Sequence, residues 1–137
     1  MRSFSSVLRS CCYPSTDVFL FVYSLARPDS LHSLVSRWLP EVRRHAPRTP
    51  IVLVGTQSDS PAARSHLDLR AISRIGASAH IQCSALTQHN LKQVFDAVIV
   101  EALRGRRKMA SDAAKPTKNV RSSLWKLFTK TSPKRVH

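Results

Sequence analysis

Ile51–Ser60 reads IVLVGTQSDS. A near-continuous apolar run ends in a glycine, and a short polar turn then delivers one carboxylate, Asp59. The run shows no polar alternation and is too short for a helix, so Ile51–Val54 reads as a strand buried on both faces. A carboxylate just past the exit of such a strand is placed to hold something.

Working outward, Asp17–Ser24 (DVFLFVYS) is a second continuous apolar run flanked by turn formers. It too predicts a strand buried on both faces. Asp29 or Ser30 offers a helix cap, and Leu31, Leu34, Val35, Trp38, Leu39 and Val42 recur at helical spacing through Leu31–Ala46. Pro40 lies inside that pattern and should bend or interrupt the helix. Pro47 and Pro50 bracket a loop, and residues 60–65 read as another. Leu67–Ile75 predicts a short helix stopped by Gly76. Ala79–Gln82 predicts a third, short strand. Leu91, Val94, Phe95, Val98, Ile99 and Leu103 mark one face of an amphipathic helix that Gly105 should end.

Strand and helix alternate three times, which predicts an α/β fold: three parallel strands with flanking helices and right-handed crossovers. Ligands of such sheets bind beyond the carboxyl ends of the strands. Asp59 and Ser84 both fall just past such ends.

The chain has 137 residues, enough for one domain with a modest core. Its net charge of +14 is unevenly spread: from Gly105 onward ten Lys/Arg face Asp112 alone, leaving net +9 there and +5 in residues 1–104. A basic segment of this kind suits an anionic surface, a membrane leaflet or nucleic acid. Three cysteines, two of them adjacent, make no disulfide framework and fit a reducing compartment. No apolar run approaches the ~20 residues of a membrane span, and the first twelve residues do not read as a signal peptide. The six histidines show no zinc-ligand spacing. Cys83 beside Ser84 reads as a buried structural cysteine, and the sequence points to no catalytic or metal-binding residue.

At this point the sequence resembles a known family. GTQSD (Gly55–Asp59) is similar to the guanine-specificity motif of small GTPases, N/T-K/Q-x-D, and CSALTQ (Cys83–Gln88) to their second base-contacting loop. With YPSTDVFLFVYSLARPDSL (Tyr13–Leu31), RWLPEVR (Arg37–Arg43) and CSALTQHNLKQVFDAVI (Cys83–Ile99), residues 13–104 resemble the C-terminal half of a Rho-type GTPase domain. The nearest likeness is to its Rac-like branch and the atypical Wrch and Chp type. Guanine offers two adjacent N–H groups on one edge, and a carboxylate can accept both; adenine lacks that pair. The resemblance implies that Asp59 is this acceptor, oriented by Ser84. Gln57 would lay its stem against the base, and Thr56 would tie the loop to backbone. Ala85 would give its N–H to the guanine oxygen, with Leu86 packed beside the base.

The departures from the family pattern are equally specific. There is no G-x-x-x-x-G-K-S/T phosphate loop, no lysine before Lys92, no switch threonine for magnesium and no D-x-x-G segment. Residues 1–12 read as an irregular lead-in, and residues 105–137 as a basic, disordered tail. The interval from Asp59 to Cys83 is too short for the extra helix of Rho proteins. The chain ends SPKRVH, with no C-a-a-X prenylation box. Lys118–Lys130 resembles the basic, aromatic end of the Wrch and Chp type. There Arg121, Leu124, Trp125, Lys126, Leu127, Phe128 and Lys130 are candidates for contact with an anionic membrane; nucleic acid is the less favoured partner.

By resemblance, the expectation is a GTP-binding signalling protein of the actin cytoskeleton. It would use GTP or GDP with Mg2+ and meet Rho effectors and regulators. It would be cytoplasmic or peripheral at the cytoplasmic face of plasma or endosomal membrane. The chain as written keeps the guanine-recognition loops and lacks the phosphate-binding half, so weak nucleotide binding and no hydrolysis are expected. The alternative is a non-enzymatic remnant that binds protein or membrane, or an unstable splice or gene-model product. Asp17–Ser24 would stand as an exposed edge open to self-association.

Overall fold

The computed structural model describes residues 8, 9, 11–64 and 67–113. Three strands, β1 (Phe19–Ser24), β2 (Ile51–Thr56) and β3 (Ala79–Gln82), form one parallel sheet in the order β1-β2-β3. The expected α/β architecture is therefore present. Ile51, Val52 and Leu53 are fully buried in the central strand, as an unbroken apolar run requires. Tyr23 lies beside Gly55 and Ser24 beside Thr56, with Gly55 in turn beside Gln82. The three strands thus end level.

β1 departs from expectation. It begins at Phe19, not Asp17, and it is buried on one face only. Phe21 and Tyr23 enter the core, whereas Leu20 is 41% and Val22 49% exposed. Leu20 and Val22 lie in register with Val52 and Val54. On that face the last helix packs Val94, Ala97 and Val98 against Val52, Val54 and Ile81. Leu20 and Val22 are outside this cluster.

The crossover from β1 to β2 comprises α1 (Pro28–Ser33), a π-helical turn (Leu34–Trp38) and α2 (Leu39–His45). Neither Asp29 nor Ser30 is the cap. Arg27 holds that position without a side-chain bond, and Pro28 opens the helix, where a missing N–H is harmless. Pro40 does not break the run. The Leu39 N–H reaches back five residues to the Leu34 carbonyl, and this widened turn accommodates the ring that an α-helical ladder would exclude. Leu31, Leu34, Val35 and Val42 pack on Phe21, Ile51 and Leu53.

Pro61–Arg64 form a 3-10 turn within the expected loop. α3 (Leu69–Ile75) starts two residues later than the sequence suggests, because Asp68 caps it. One Asp68 carboxylate oxygen accepts the N–H groups of Arg70 and Ala71, each at 3.0 Å. Those two bonds hold the Asp68 carboxyl below its ordinary range. Gly76 ends the helix at φ 60°, in the left-handed region, as expected. Asp68→Ala should lower stability, read as an earlier urea midpoint at unchanged slope.

α4 (Leu91–Ala113) runs straight through Gly105, which does not terminate it. Gly105 does not take a positive φ. A glycine inside a helix costs about 1 kcal/mol relative to alanine, too little to stop a helix that RRKMASDA then continues. Arg106 donates Nε at 3.3 Å and Nη2 at 2.8 Å to the two oxygens of Asp17. The expected apolar face splits: Val94 is buried, while Phe95, Ile99 and Leu103 are 57%, 56% and 52% exposed. The compact unit ends at Arg106.

The lead-in is not wholly irregular. Leu8, Arg9, Cys11 and Cys12 are helical, and Tyr13–Ser15 form a 3-10 turn. The Tyr13 hydroxyl donates to Glu41 at 2.8 Å, and the Arg9 guanidinium lies 5.2 Å from the Trp38 ring centre. These contacts fasten it to α2 and the turn before it. The aromatic stretch around Trp125 lies outside the described residues. Among the described residues no helix is long and apolar enough to cross a membrane.

Candidate functional site

Two loops rise from the level strand ends: residues 57–60 after β2 and residues 83–90 after β3. Backbone bonds lock them together. Leu25 donates to the Thr56 carbonyl at 3.0 Å, Cys83 to that of Gly55 at 2.8 Å, and Ser58 to that of Cys83 at 3.1 Å. Gly55 leaves room for its neighbours here. A Cβ on it would lie 3.0 Å from both Leu25 Cγ and the Tyr23 hydroxyl, in a fully packed layer.

The side chains add a second set of ties. Thr56 Oγ1 donates to the Tyr23 carbonyl at 3.0 Å. The Ser24 hydroxyl donates to Gln57 Oε1. Ser84 is completely buried; its hydroxyl donates to Asp59 Oδ1 and accepts the Thr87 N–H at 3.1 Å. Its backbone N–H donates to the His89 carbonyl at 3.0 Å. Asp59 itself is exposed. A buried hydroxyl therefore orients an accessible carboxylate through one of its two oxygens.

The six candidate residues divide by role. Thr56, Gln57, Asp59 and Ser84 are fixed by these bonds to the strand ends and to each other. Ala85 and Leu86 stand at the tip of the second loop, exposed, Leu86 by 83%. Three residues escaped the sequence reading. Ser24 braces Gln57 from β1, Asn90 donates its side-chain amide to the Gln82 carbonyl at 2.9 Å, and the Gln88 carbonyl accepts the Leu91 N–H at 3.3 Å. Among the described residues, Gln57, Gln88 and Asn90 are the non-glycine positions at positive φ, and all three lie in these loops. Strained backbone gathered at one place marks a site held in a set geometry. Asparagine tolerates that region and so could have signalled it; glutamine carries no such signal. Beside Asp59 an open hollow of about 660 Å³ is lined by Ser58, Gln82, Thr87, Gln88, His89 and Asn90. It does not reach Gln57 or Leu86, so it is one flank of the site, not its whole.

Beneath the rim, the Tyr23 hydroxyl meets His80 Nε2 at 2.9 Å, which joins β1 to β3 across β2. Burial raises the Tyr23 phenol above its ordinary value and lowers the His80 imidazole below 6.5. A lowered folded-state value means that the unfolded chain binds the proton more readily. Stability is then fully present above pH 6.5 and declines as pH falls through the folded value. Thermal melts between about pH 7.5 and 5.5 should show this decline, and His80→Gln should flatten it. Asp68 and Glu41, both lowered, lose their contributions only in the carboxylate range.

Residues 3–104 match the Ras family. The Rho-related GTP-binding protein RhoV of Homo sapiens is 37% identical over 139 residues, covering 88% of this chain and 58% of that protein. RhoV of Bos taurus gives the same figures, and RhoV of Rattus norvegicus is 37% identical over 143 residues. The chain thus spans 58% of the length of the curated relatives it matches.

Proposed function

The chain belongs to the Rho group of the Ras family of small GTPases, and from that premise we propose that its paired rim loops recognise the guanine of GTP or GDP. The observation that carries this reading is the bond from buried Ser84 to exposed Asp59. It fixes the plane of a carboxylate at the carboxyl end of a parallel sheet, where such folds bind ligands. Asp59 accepts the two adjacent N–H groups of guanine. Gln57, braced by Ser24, lays its stem along the base. Thr56 holds the first loop to β1. Ala85 supplies a backbone N–H to the guanine oxygen, and Leu86 covers the base edge.

The donor set fits a purine base. It does not fit a magnesium triphosphate. The sequence has no phosphate-loop motif and no lysine before Lys92. Among the described residues, the outward N–H of Ser24 at the β1 exit is already taken by the Ser30 hydroxyl at 2.9 Å. Most affinity for a nucleotide of this kind comes from N–H groups and lysine around the phosphates. Family members use Mg2+ with GTP; this chain binds the base half weakly, independently of Mg2+, and does not hydrolyse GTP. Contacts with Rho effectors and regulators, and contact of residues 121–130 with an anionic leaflet, belong to the same reading.

The test is titration of the 137-residue chain with fluorescent GDP and ADP, with and without Mg2+. GDP binding that exceeds ADP binding and ignores Mg2+ supports it. Equal response to the two bases refutes guanine recognition, and a strong Mg2+ dependence refutes the claim that the phosphates are unheld.

A further inference from the structure

Tyr23 and His80 meet just beneath the two rim loops. The Tyr23 hydroxyl lies 2.9 Å from His80 Nε2 and so spans β2, which separates β1 from β3. It passes over Gly55, where a Cβ would stand 3.0 Å from it. The ties that hold the loops start from this spot. The Tyr23 carbonyl accepts Thr56 Oγ1 at 3.0 Å. The Gly55 carbonyl accepts the Cys83 N–H at 2.8 Å, and the Cys83 carbonyl accepts the Ser58 N–H at 3.1 Å.

The direction of the Tyr23–His80 bond follows from its donors and acceptors. Tyr23 is 4% exposed, and among the described residues His80 is the one hydrogen-bond partner of its hydroxyl. A phenol that only accepted would leave its own O–H buried and unpaired, which is costly. Tyr23 therefore donates, and Nε2 is the bare nitrogen of a neutral ring. An imidazolium carries protons on both nitrogens. Its Nε2 cannot accept, and the Tyr23 O–H is then stranded in a packed layer.

We propose that the Tyr23–His80 bond positions both guanine-recognition loops, so that affinity for GDP falls when His80 takes up a proton. The inference rests on guanine recognition at the rim and adds its regulation. Neutral His80 holds β1 and β3 at one spacing over Gly55, and Asp59 and Ser84 follow directly from the strands so held. Neither Tyr23 nor His80 touches nucleotide; both are positioning residues. The ionisable groups around the pair are engaged elsewhere or exposed. His32 of α1 and Asp68 at the head of α3 line a small cavity with Tyr23 and face each other at 3.8 Å. Arg70 and Arg74 of α3 and His89 of the second loop are exposed, and Lys92 of α4 pairs with Asp96 at 2.6 Å. Burial is what lowers His80.

Two readouts on the full chain test this, one of them without nucleotide. The Ser58 and Thr87 amides bond the Cys83 carbonyl and the Ser84 hydroxyl. In proton–nitrogen correlation spectra between about pH 7.5 and 5.0 they should shift with the midpoint of the His80 ring. GDP affinity, from fluorescence titration over the same range, should be level above pH 6.5. It should then fall about fivefold or more as pH drops through the His80 value, and GDP should in turn lower that value. His80→Gln keeps an acceptor but takes no proton, so it should abolish both dependences, whereas His32→Gln and His89→Gln should keep them. If His80→Gln loses its far-ultraviolet circular dichroism, Tyr23→Phe decides: the ring should still titrate, uncoupled from the loop amides. Amides that ignore pH, or that still shift in folded His80→Gln, overturn the positioning role whatever GDP does. A GDP affinity that is level throughout while guanine is preferred overturns the coupling. Amides that shift as expected in a chain without preference for GDP over ADP uphold the positioning and refute guanine recognition alone.

Discussion

Asp59→Ala is expected to reduce GDP binding about a hundredfold or more and to erase preference for GDP over ADP. Two hydrogen bonds to a charged group are lost, each contributing about 1.5–3 kcal/mol, and every 1.4 kcal/mol is tenfold in affinity. The change also leaves the buried Ser84 hydroxyl without its acceptor, so the melting curve should move slightly lower while the chain stays folded at the titration temperature. Ser84→Ala separates orientation from acceptance. It leaves the carboxylate in place but frees its plane, and the Thr87 N–H loses its acceptor. Its loss in GDP affinity should be smaller than that of Asp59→Ala, and some preference over ADP should survive. Fluorescence titration with both nucleotides reads each outcome. Full retention of GDP binding in Asp59→Ala would place the base elsewhere.

The largest stability effect is expected at the centre of the sheet. Leu53→Ala should cost about 2–5 kcal/mol, the range for a leucine cut back to alanine in a core that cannot fully collapse. Leu53 is 0% exposed and shares one core cluster with Phe21, Leu31, Leu34, Val35 and Ile75, which come from β1, α1, the π turn and α3. Domains of this size are stable by about 5–15 kcal/mol, so anything from about an eighth to the whole of the total is at stake. The rim loops hang from the same strand, so nucleotide response should fall along with stability. Leu86→Ala gives the contrast. At 83% exposure it should leave the urea midpoint nearly unchanged, within about 0.5 kcal/mol.

Much of the candidate site was legible before any coordinates. Asp59 and Ser84 both follow an apolar run directly, and any parallel sheet places such residues at one rim. Their hydrogen bond required only that β2 and β3 be neighbours. The bracing from Ser24 was not legible, since 33 residues separate it from Gln57 and nothing local in either marks the pair. Gln57 and Gln88 adopt positive φ against their own preference, because the surrounding bonds over-determine the loops.

The helix ends show the same division. Gly76 was read correctly because its left-handed φ is a property of a single residue. Gly105 was misread because only the tertiary setting decides whether a helix goes on; Arg106 clasps Asp17 from within the helix. Pro40 removes one N–H by its own chemistry, but the π turn that absorbs it formed where Leu34 and Val35 had to stay in the core.

By itself the sequence determined the alternation of three strands with helices, the burial of β2 and the family likeness of both rim loops. Each of these follows from residue type and short spacing. Only the tertiary structure decided that β1 is covered on one face, that the stripe Phe95, Ile99 and Leu103 points away from the sheet, and that Ser30 takes the Ser24 N–H at the β1 exit. Those outcomes depend on which elements lie beside one another, and apolar periodicity states how much surface needs cover without stating what covers it.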